Sequence, residues 1–348
     1  MTPVVRGTLL ALLAALAFGA TAPLLQRAGT GTGAFATAAL LYAGAALVSL
    51  PALARWRVAG WRRGDGRTLL AVAASGAVLA PACLAWGLAR TSAVTGSLLL
   101  NLEAVFTVGL AWLAYREHVG RRVAVAVTLM ALGGALLVLG GGAGGAGAVG
   151  AWSEGALAVW IATFFWALDN TFTRRLADRD AGTVVLAKAS LGVVLSTSVA
   201  QVLGEPWPDL AHGAALVACG AAGYGLSLRF YVRAQRTLGA GRTASIFAIG
   251  PFVGALLAPA LGAPWPGWGV WAAGVLFVVG VVLHLTESHG HAHRHEAVDH
   301  EHVHRHDDGH HAHTHHPPVQ GEHSHPHHHE VLAHEHPHAP DVHHRHEH

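Results

Sequence analysis

Ten stretches of this chain, each about 20 residues long, are almost free of charge, and a helix of that length crosses a hydrocarbon layer of about 30 Å. They lie at approximately 4–25, 34–54, 68–89, 93–114, 121–140, 154–173, 182–203, 211–232, 243–261 and 267–286. Backbone N–H and C=O groups in lipid must bond to one another, so apolar runs of this length form helices. The whole-chain average of 52% hydrophobic and 12% charged residues understates this pattern, because the polar C-terminal tail dilutes it. The expected class is an all-α integral membrane protein with the lipid bilayer as its solvent. Its ten transmembrane helices form two five-helix repeats, followed by a disordered C-terminal tail.

Arginine placement predicts the orientation. With the N-terminus in the cytoplasm, Arg6 and the arginines of the even-numbered connections lie inside, 16 in all, against Arg27 and Arg90 outside. Cytoplasmic loops carry such an excess of positive side chains. The expected location is therefore the cytoplasmic (inner) membrane, multi-pass, with both termini cytoplasmic. The first span ends in AFGATA, which imitates a signal-peptide cleavage site. Nine further apolar runs follow, so an uncleaved first span is expected. Cys83 and Cys219 fall inside apolar runs and read as packing residues.

The run GGGAGGAGAVG, Gly140–Gly150, carries no charge and reads as a flexible hinge. It divides the chain into a first repeat (1–139), a linker (140–153), a second repeat (154–287) and a tail (288–348). Five spans per repeat makes the second repeat inverted relative to the first, and such repeats hold a substrate cavity between them near the midplane. LARTSAVTGSLLLNLEAVFTVGLAW (88–112) is similar to RTLGAGRTASIFAIGPFVGALLAP (236–259) with one gap, and AFGATAPLLQR, ending at Arg27, aligns with FWALDNTFTRR, ending at Arg175.

The stretch ARTSAVTGSLLLNLEAVFTVGLAWLAYREHVG (89–120) resembles the fourth span and following basic loop of EamA-type transporters, within the drug/metabolite transporter superfamily. WALDNTFTRRL (166–176) is similar to the opening helix of the second repeat in one branch of that family. The resemblance covers about residues 4–286 and excludes the tail. Ala104 stands where the family has proline after the acid, and the second repeat keeps Pro251 but has Gly250 in the acid's place. The resemblance implies secondary transport of small organic solutes, such as amino acids, nucleotide-sugar-like metabolites or drugs.

An ionisable group at bilayer depth costs about 2.5–3.5 kcal/mol on insertion scales, which makes each one a functional candidate. Asp169 and Asn170 lie in the sixth span, with Trp166 one turn earlier. Lys188, the chain's only lysine, sits inside the seventh span, and Asp169 is its expected partner. Such a pair either lines the transport cavity, binding solute or exchanging a proton, or locks the two helices together. Glu103 is central in the fourth span, either as a coupling carboxylate or as a structural acid; Asn101 lies roughly 160° away around the same helix. Tyr42 joins these as a cavity residue, with Gln26, Trp86, Trp160 and Tyr224 as further candidate walls. Pro23, Pro81 and Pro251 are candidate bends, and Gly133–Gly134 and Gly250–Gly254 are candidate close helix contacts.

Beyond Ser288 the composition changes, and 25 of the chain's 28 histidines lie there. Neutral imidazole binds nickel, zinc, cobalt and copper. The expected ligands are His291, His293, His295, His302, His304 and His306, then His310, His311, His313, His315 and His316, and lastly His327, His328 and His329. With little apolar content and several prolines, the tail is expected to stay unfolded without metal and to act as a buffer or sensor. No cofactor is required. There is no soluble-enzyme or Walker motif, and the arginines are accounted for by topology, so neither catalysis nor nucleic-acid binding is expected. The first reading is a carrier, more specifically an exporter, of a small organic solute with a regulatory tail. The others are an efflux carrier for nickel, cobalt or zinc and a membrane-anchored metal store. A homodimer stays open.

Overall fold

The computed structural model describes residues 3–58, 60–62, 64–115, 119–139, 153–176, 179–238, 240–286, 289–295, 298–304, 323–329 and 332–338. The linker expected at 140–153 lies outside these residues except for Ser153.

In the first repeat, span 1 comprises α1 (Pro3–Gly19) and α2 (Thr21–Ala28), and span 2 is α3 (Ala34–Ser49), running into a 3₁₀ segment (Leu50–Val58). Span 3 is α4 (Asp65–Ala73), a π-helical segment (Ala74–Leu79) and α5 (Ala80–Leu88). Span 4 is α6 (Ala93–Leu99) followed by α7 (Leu102–Tyr115), and span 5 is α8 (Arg121–Leu139). In the second repeat, span 6 is α9 (Glu154–Thr173) and span 7 is α10 (Ala181–Val202). Span 8 is α11 (Leu210–Gly220), a second π segment (Ala221–Leu226) and α12 (Ser227–Leu238). Span 9 is α13 (Ala240–Phe247) and α14 (Gly250–Ala260), and span 10 is α15 (Trp268–Leu285).

Among the described residues, nine of the ten expected spans are long and apolar enough to cross a membrane. The exception is the sixth: α9 has the length, 20 residues, but carries Glu154, Asp169 and Asn170, which lower its hydropathy. Up to Thr286 the protein is an all-helical, multi-pass membrane protein of two five-helix repeats.

The repeats share their irregularities. Both third spans contain a π segment, and both fourth spans break for two residues, at Leu100–Asn101 and at Ala248–Ile249. The three candidate bend prolines each follow an interruption. Pro23 opens α2, Pro81 follows the first π segment and Pro251 follows the span 9 break. The first turn of a helix has N–H groups without an intrahelical acceptor, so proline loses little there.

Contacts between connections show how the spans alternate. The Gln26 side-chain amide donates to the Leu88 and Thr91 carbonyls, each at 2.6 Å, and Arg27 donates to the Leu261 carbonyl at 3.1 Å. One Glu205 carboxylate oxygen accepts from the N–H groups of Phe35 and Ala36 at 2.8 and 2.9 Å, capping the start of α3. These contacts join odd-numbered connections. Two even-numbered connections meet in an ion pair, Arg179 Nε to Asp65 Oδ2 at 2.7 Å, with both side chains largely buried.

The interior is built from small residues, because lipid offers no hydrophobic drive between helices and close van der Waals approach must replace it. Spans 2 and 8 cross backbone to backbone: a Cβ on Gly44 would strike the Val217 carbonyl, and one on Gly220 the Leu41 carbonyl. Gly254 packs on the Gly19 carbonyl and Gly133 on that of Ala273, so both candidate glycine contacts are occupied.

The tail forms a separate unit. Its described residues pair as four strands, β1 (His289–His295) with β4 (Leu332–His338) and β2 (Val298–His304) with β3 (His323–His329), all antiparallel.

Candidate functional site

The two π segments lie either side of an aromatic cluster. A π turn replaces the i→i+4 bonding of an α-helix with a wider one and recurs at functional sites. In the first π segment the Gly76 carbonyl accepts hydrogen bonds from the Tyr42 hydroxyl (span 2) and from the Trp166 indole N–H at 3.2 Å (span 6). Tyr224, in the second π segment, stacks on Tyr42 with ring centroids 5.6 Å apart and faces Trp166 at 6.3 Å. Phe18 meets the edge of Tyr224 at 6.5 Å and packs on Phe247 at 5.3 Å. Spans 1, 2, 3, 6, 8 and 9 thus contribute to one centre.

The charged groups adjoin it. Asp169 is 4% exposed and pairs with Lys188 Nζ through Oδ2; its other oxygen accepts from the Thr173 hydroxyl at 3.4 Å. Asp169 also packs against Gly76 so closely that a Cβ there would overlap its carboxylate. Its neighbour Asn170 donates from Nδ2 to Glu103 Oε1 at 2.7 Å, joining span 6 to span 4. Glu103 lies in the first turn of α7, where the positive end of the helix dipole favours a carboxylate. Phe106, one turn on, packs edge-on against Trp160 at 4.9 Å.

The six residues expected at the cavity fall into three groups, Tyr42 with Trp166 on the Gly76 carbonyl, Asp169 with Lys188, and Glu103 with Asn170, and Asp169 and Asn170 are consecutive on α9. Of the further candidate walls, Tyr224 belongs to the centre and Trp160 borders it. Gln26 serves instead as a tie between connections, and Trp86 stacks under Arg90 at 3.9 Å. Asn101 turns back onto the Leu98 carbonyl at 2.9 Å, within its own helix break. Sequence reasoning missed the Gly76 carbonyl and the Phe18–Phe247 pair. The π segments, ASGAVL and AAGYGL, contain glycine, but glycine recurs throughout the spans and did not mark them.

Chemically, the centre has a balanced charge pair, an acid held by an amide, and an aromatic wall. Such a set can hold a polar solute or pass a proton, with the rings excluding water from the groups behind them. No group of three or more histidine, cysteine, aspartate or glutamate residues among the described residues is arranged to hold a metal. Outside the spans, Asp209 caps α11 by accepting from the His212 N–H at 2.9 Å, and the His212 ring lies 2.8 Å from its other oxygen. Of the expected tail ligands, His291, His293, His295, His302, His304, His327, His328 and His329 fall on strands. His306, His310, His311, His313, His315 and His316 lie outside the described residues, as does His118 of the body.

Comparison with known proteins agrees with this architecture. The profile of the EamA-like transporter family matches residues 5–139 and 153–286, one match per repeat. An uncharacterized transporter from Methanothermobacter thermautotrophicus is 29% identical over 201 residues, which is 57% of this chain and 58% of that relative's length. A protein of known crystal structure shares the fold at a TM-score of 0.58 and 20% identity, over 80% of this chain and 94% of its own.

Proposed function

We propose, on the premise that the chain belongs to the EamA-like transporter family, that it exports a small organic metabolite or drug-like solute across the cytoplasmic membrane. Membership makes it a membrane transporter of the drug/metabolite type; the cargo, the direction and the role of the tail are our reading. The observation that carries the reading is the centre between the π segments. There the Asp169–Lys188 pair, the Glu103–Asn170 hydrogen bond and the Tyr42–Trp166–Tyr224 cluster bring residues of both repeats together. Inverted repeats of this kind carry their solute between the halves and open to each side in turn. The π segments and the broken fourth and ninth spans supply places where the helices can flex. In this reading both termini are cytoplasmic, following the arginine bias, and the tail binds transition metal as a regulatory or storage appendage.

Metal tolerance tests the proposal. Cells carrying the full chain, the chain ended at Glu287, or Lys188→Ala are compared for growth in nickel, cobalt and zinc. The proposal predicts that Lys188→Ala leaves metal tolerance unchanged and that truncation alters it no further than loss of a metal buffer does. Tolerance lost with Lys188→Ala in a folded protein would instead identify the divalent metal as cargo.

A further inference from the structure

Two carboxylates tie the repeats together, one among the even-numbered connections and one among the odd. On the even side, Asp65 opens α4 after the second span of the first repeat, and meets Arg179, which follows the first span of the second repeat. Asp65 Oδ2 accepts from Arg179 Nε at 2.7 Å and from the Arg62 N–H at 2.8 Å, and its Oδ1 accepts from Arg179 Nη2 at 3.4 Å. The elements flanking this pair also pack Val72, Leu176 and Val184 into a buried apolar cluster. On the odd side, Glu205 follows the second span of the second repeat and reaches the start of α3, after the first span of the first repeat. One of its oxygens accepts from the N–H groups of Phe35 and Ala36. Beside it the Gly33 N–H donates to the Pro206 carbonyl at 2.9 Å, and a Cβ on Gly33 would overlap the Glu205 side chain.

The two ties are counterparts under the inversion of the repeats. In each, an acid from the connection after one repeat's second span reaches the connection after the other repeat's first span. They differ in what the acid meets, and the helix caps give the reason. α3 follows Gly33, which has no side chain to cap it, so Glu205 supplies the acceptor. α10 is capped by its own Asp180, which accepts from the Thr183 N–H at 2.9 Å, and Asp65 is left to the guanidinium. We propose that these ties are the two gates of the transport path, Asp65 with Arg179 on the even side and Glu205 with the first turn of α3 on the odd side. A passage between the repeats opens at one end only when the contacts joining the repeats there break, and each gate opens while the other holds. The gates rest on the reading that solute passes between the repeats, and add to it the groups that shut each end.

Distances between spin labels on the full chain in nanodiscs test the gates without any cargo. In a Cys83→Ala, Cys219→Ala background, labels at Gly66→Cys and Arg175→Cys read the even side, and labels at Thr30→Cys and Gln201→Cys read the odd side. All four positions are exposed. Asp65→Asn and Arg179→Gln should each shift the even-side distances to longer values and leave the odd-side distances as in the parent. Glu205→Ala should do the reverse. The unmoved distance in each variant shows that its fold is kept, and the two even-side variants check one another. Unchanged distances in all three variants, or Asp65→Asn and Glu205→Ala lengthening the same side, would overturn the gates. Neither result touches the passage between the repeats, whose failure is read separately in solute profiles.

Discussion

At the residue scale, Asp169 and Lys188 set the constraint that the surrounding helices must meet. Removing one partner of a buried pair leaves an uncompensated charge and costs about 3–5 kcal/mol, whereas replacing both by apolar or neutral groups is often tolerated. Lys188→Met alone should therefore destabilise the protein, and adding Asp169→Asn should recover most of that loss. Thermal unfolding in detergent, followed through the tryptophans, measures both. Solute flux then separates the two roles left open by the sequence: a pair that only locks helices returns its activity in the double variant, and a pair that handles solute or proton does not. We expect recovered stability without recovered flux. The partnership of Asp169 with Lys188 was legible beforehand, because a lone lysine in a span demands a carboxylate nearby. The partnership of Glu103 with Asn170 was not, since an amide at that depth has many acceptable partners and the two lie 67 positions apart.

At the scale of elements, the spans follow hydropathy while their interruptions follow tertiary contacts. Span limits could be read within a few residues because charge clusters mark them, and α9 begins and ends where expected. The π segments could not. ASGAVL, and AAGYGL apart from Tyr224, consist of small and aliphatic residues like their surroundings, and the first is held by Tyr42 and Trp166 reaching its Gly76 carbonyl from other spans. Gly76 itself admits no side chain, so Gly76→Ala must displace Asp169. That substitution should reduce folded yield and flux together, whereas alanine at Gly109, which has no close neighbour, should spare both. Size-exclusion recovery alongside flux provides the check.

The N-cap of α11 gives an element-scale prediction with a defined sign. Hydrogen bonds from the His212 N–H, and then from its ring, hold the Asp209 carboxyl below the ordinary aspartate range. A carboxyl depressed in the folded state stabilises above its unfolded value, about 4, and loses that contribution as pH falls through its folded value. The protection of the first amides of α11, corrected for the intrinsic pH dependence of exchange, should fall over that acid range, and Asp209→Ala should lack it at every pH, since the cap is gone.

At the scale of the whole molecule, topology was the most legible feature and the tail the least. The arginine bias gave an orientation for the spans, and the contacts between connections group them by parity: odd connections meet through Gln26, Arg27 and Glu205, and even ones through Asp65 and Arg179. The tail's composition raised the expectation of metal binding but gave no pairing, because register depends on strands separated by up to 49 residues, as from His289 to His338. The central claim is that the solute passes between the repeats, at the centre built around Asp169, Lys188 and Glu103. It is tested most directly by mass-spectrometric profiling of small organic solutes inside and outside cells expressing the full chain or the Lys188→Met, Asp169→Asn double variant at equal folded levels. The account predicts at least one organic solute depleted inside and enriched outside by the full chain and unaffected by the double variant; identical profiles for the two proteins would contradict it.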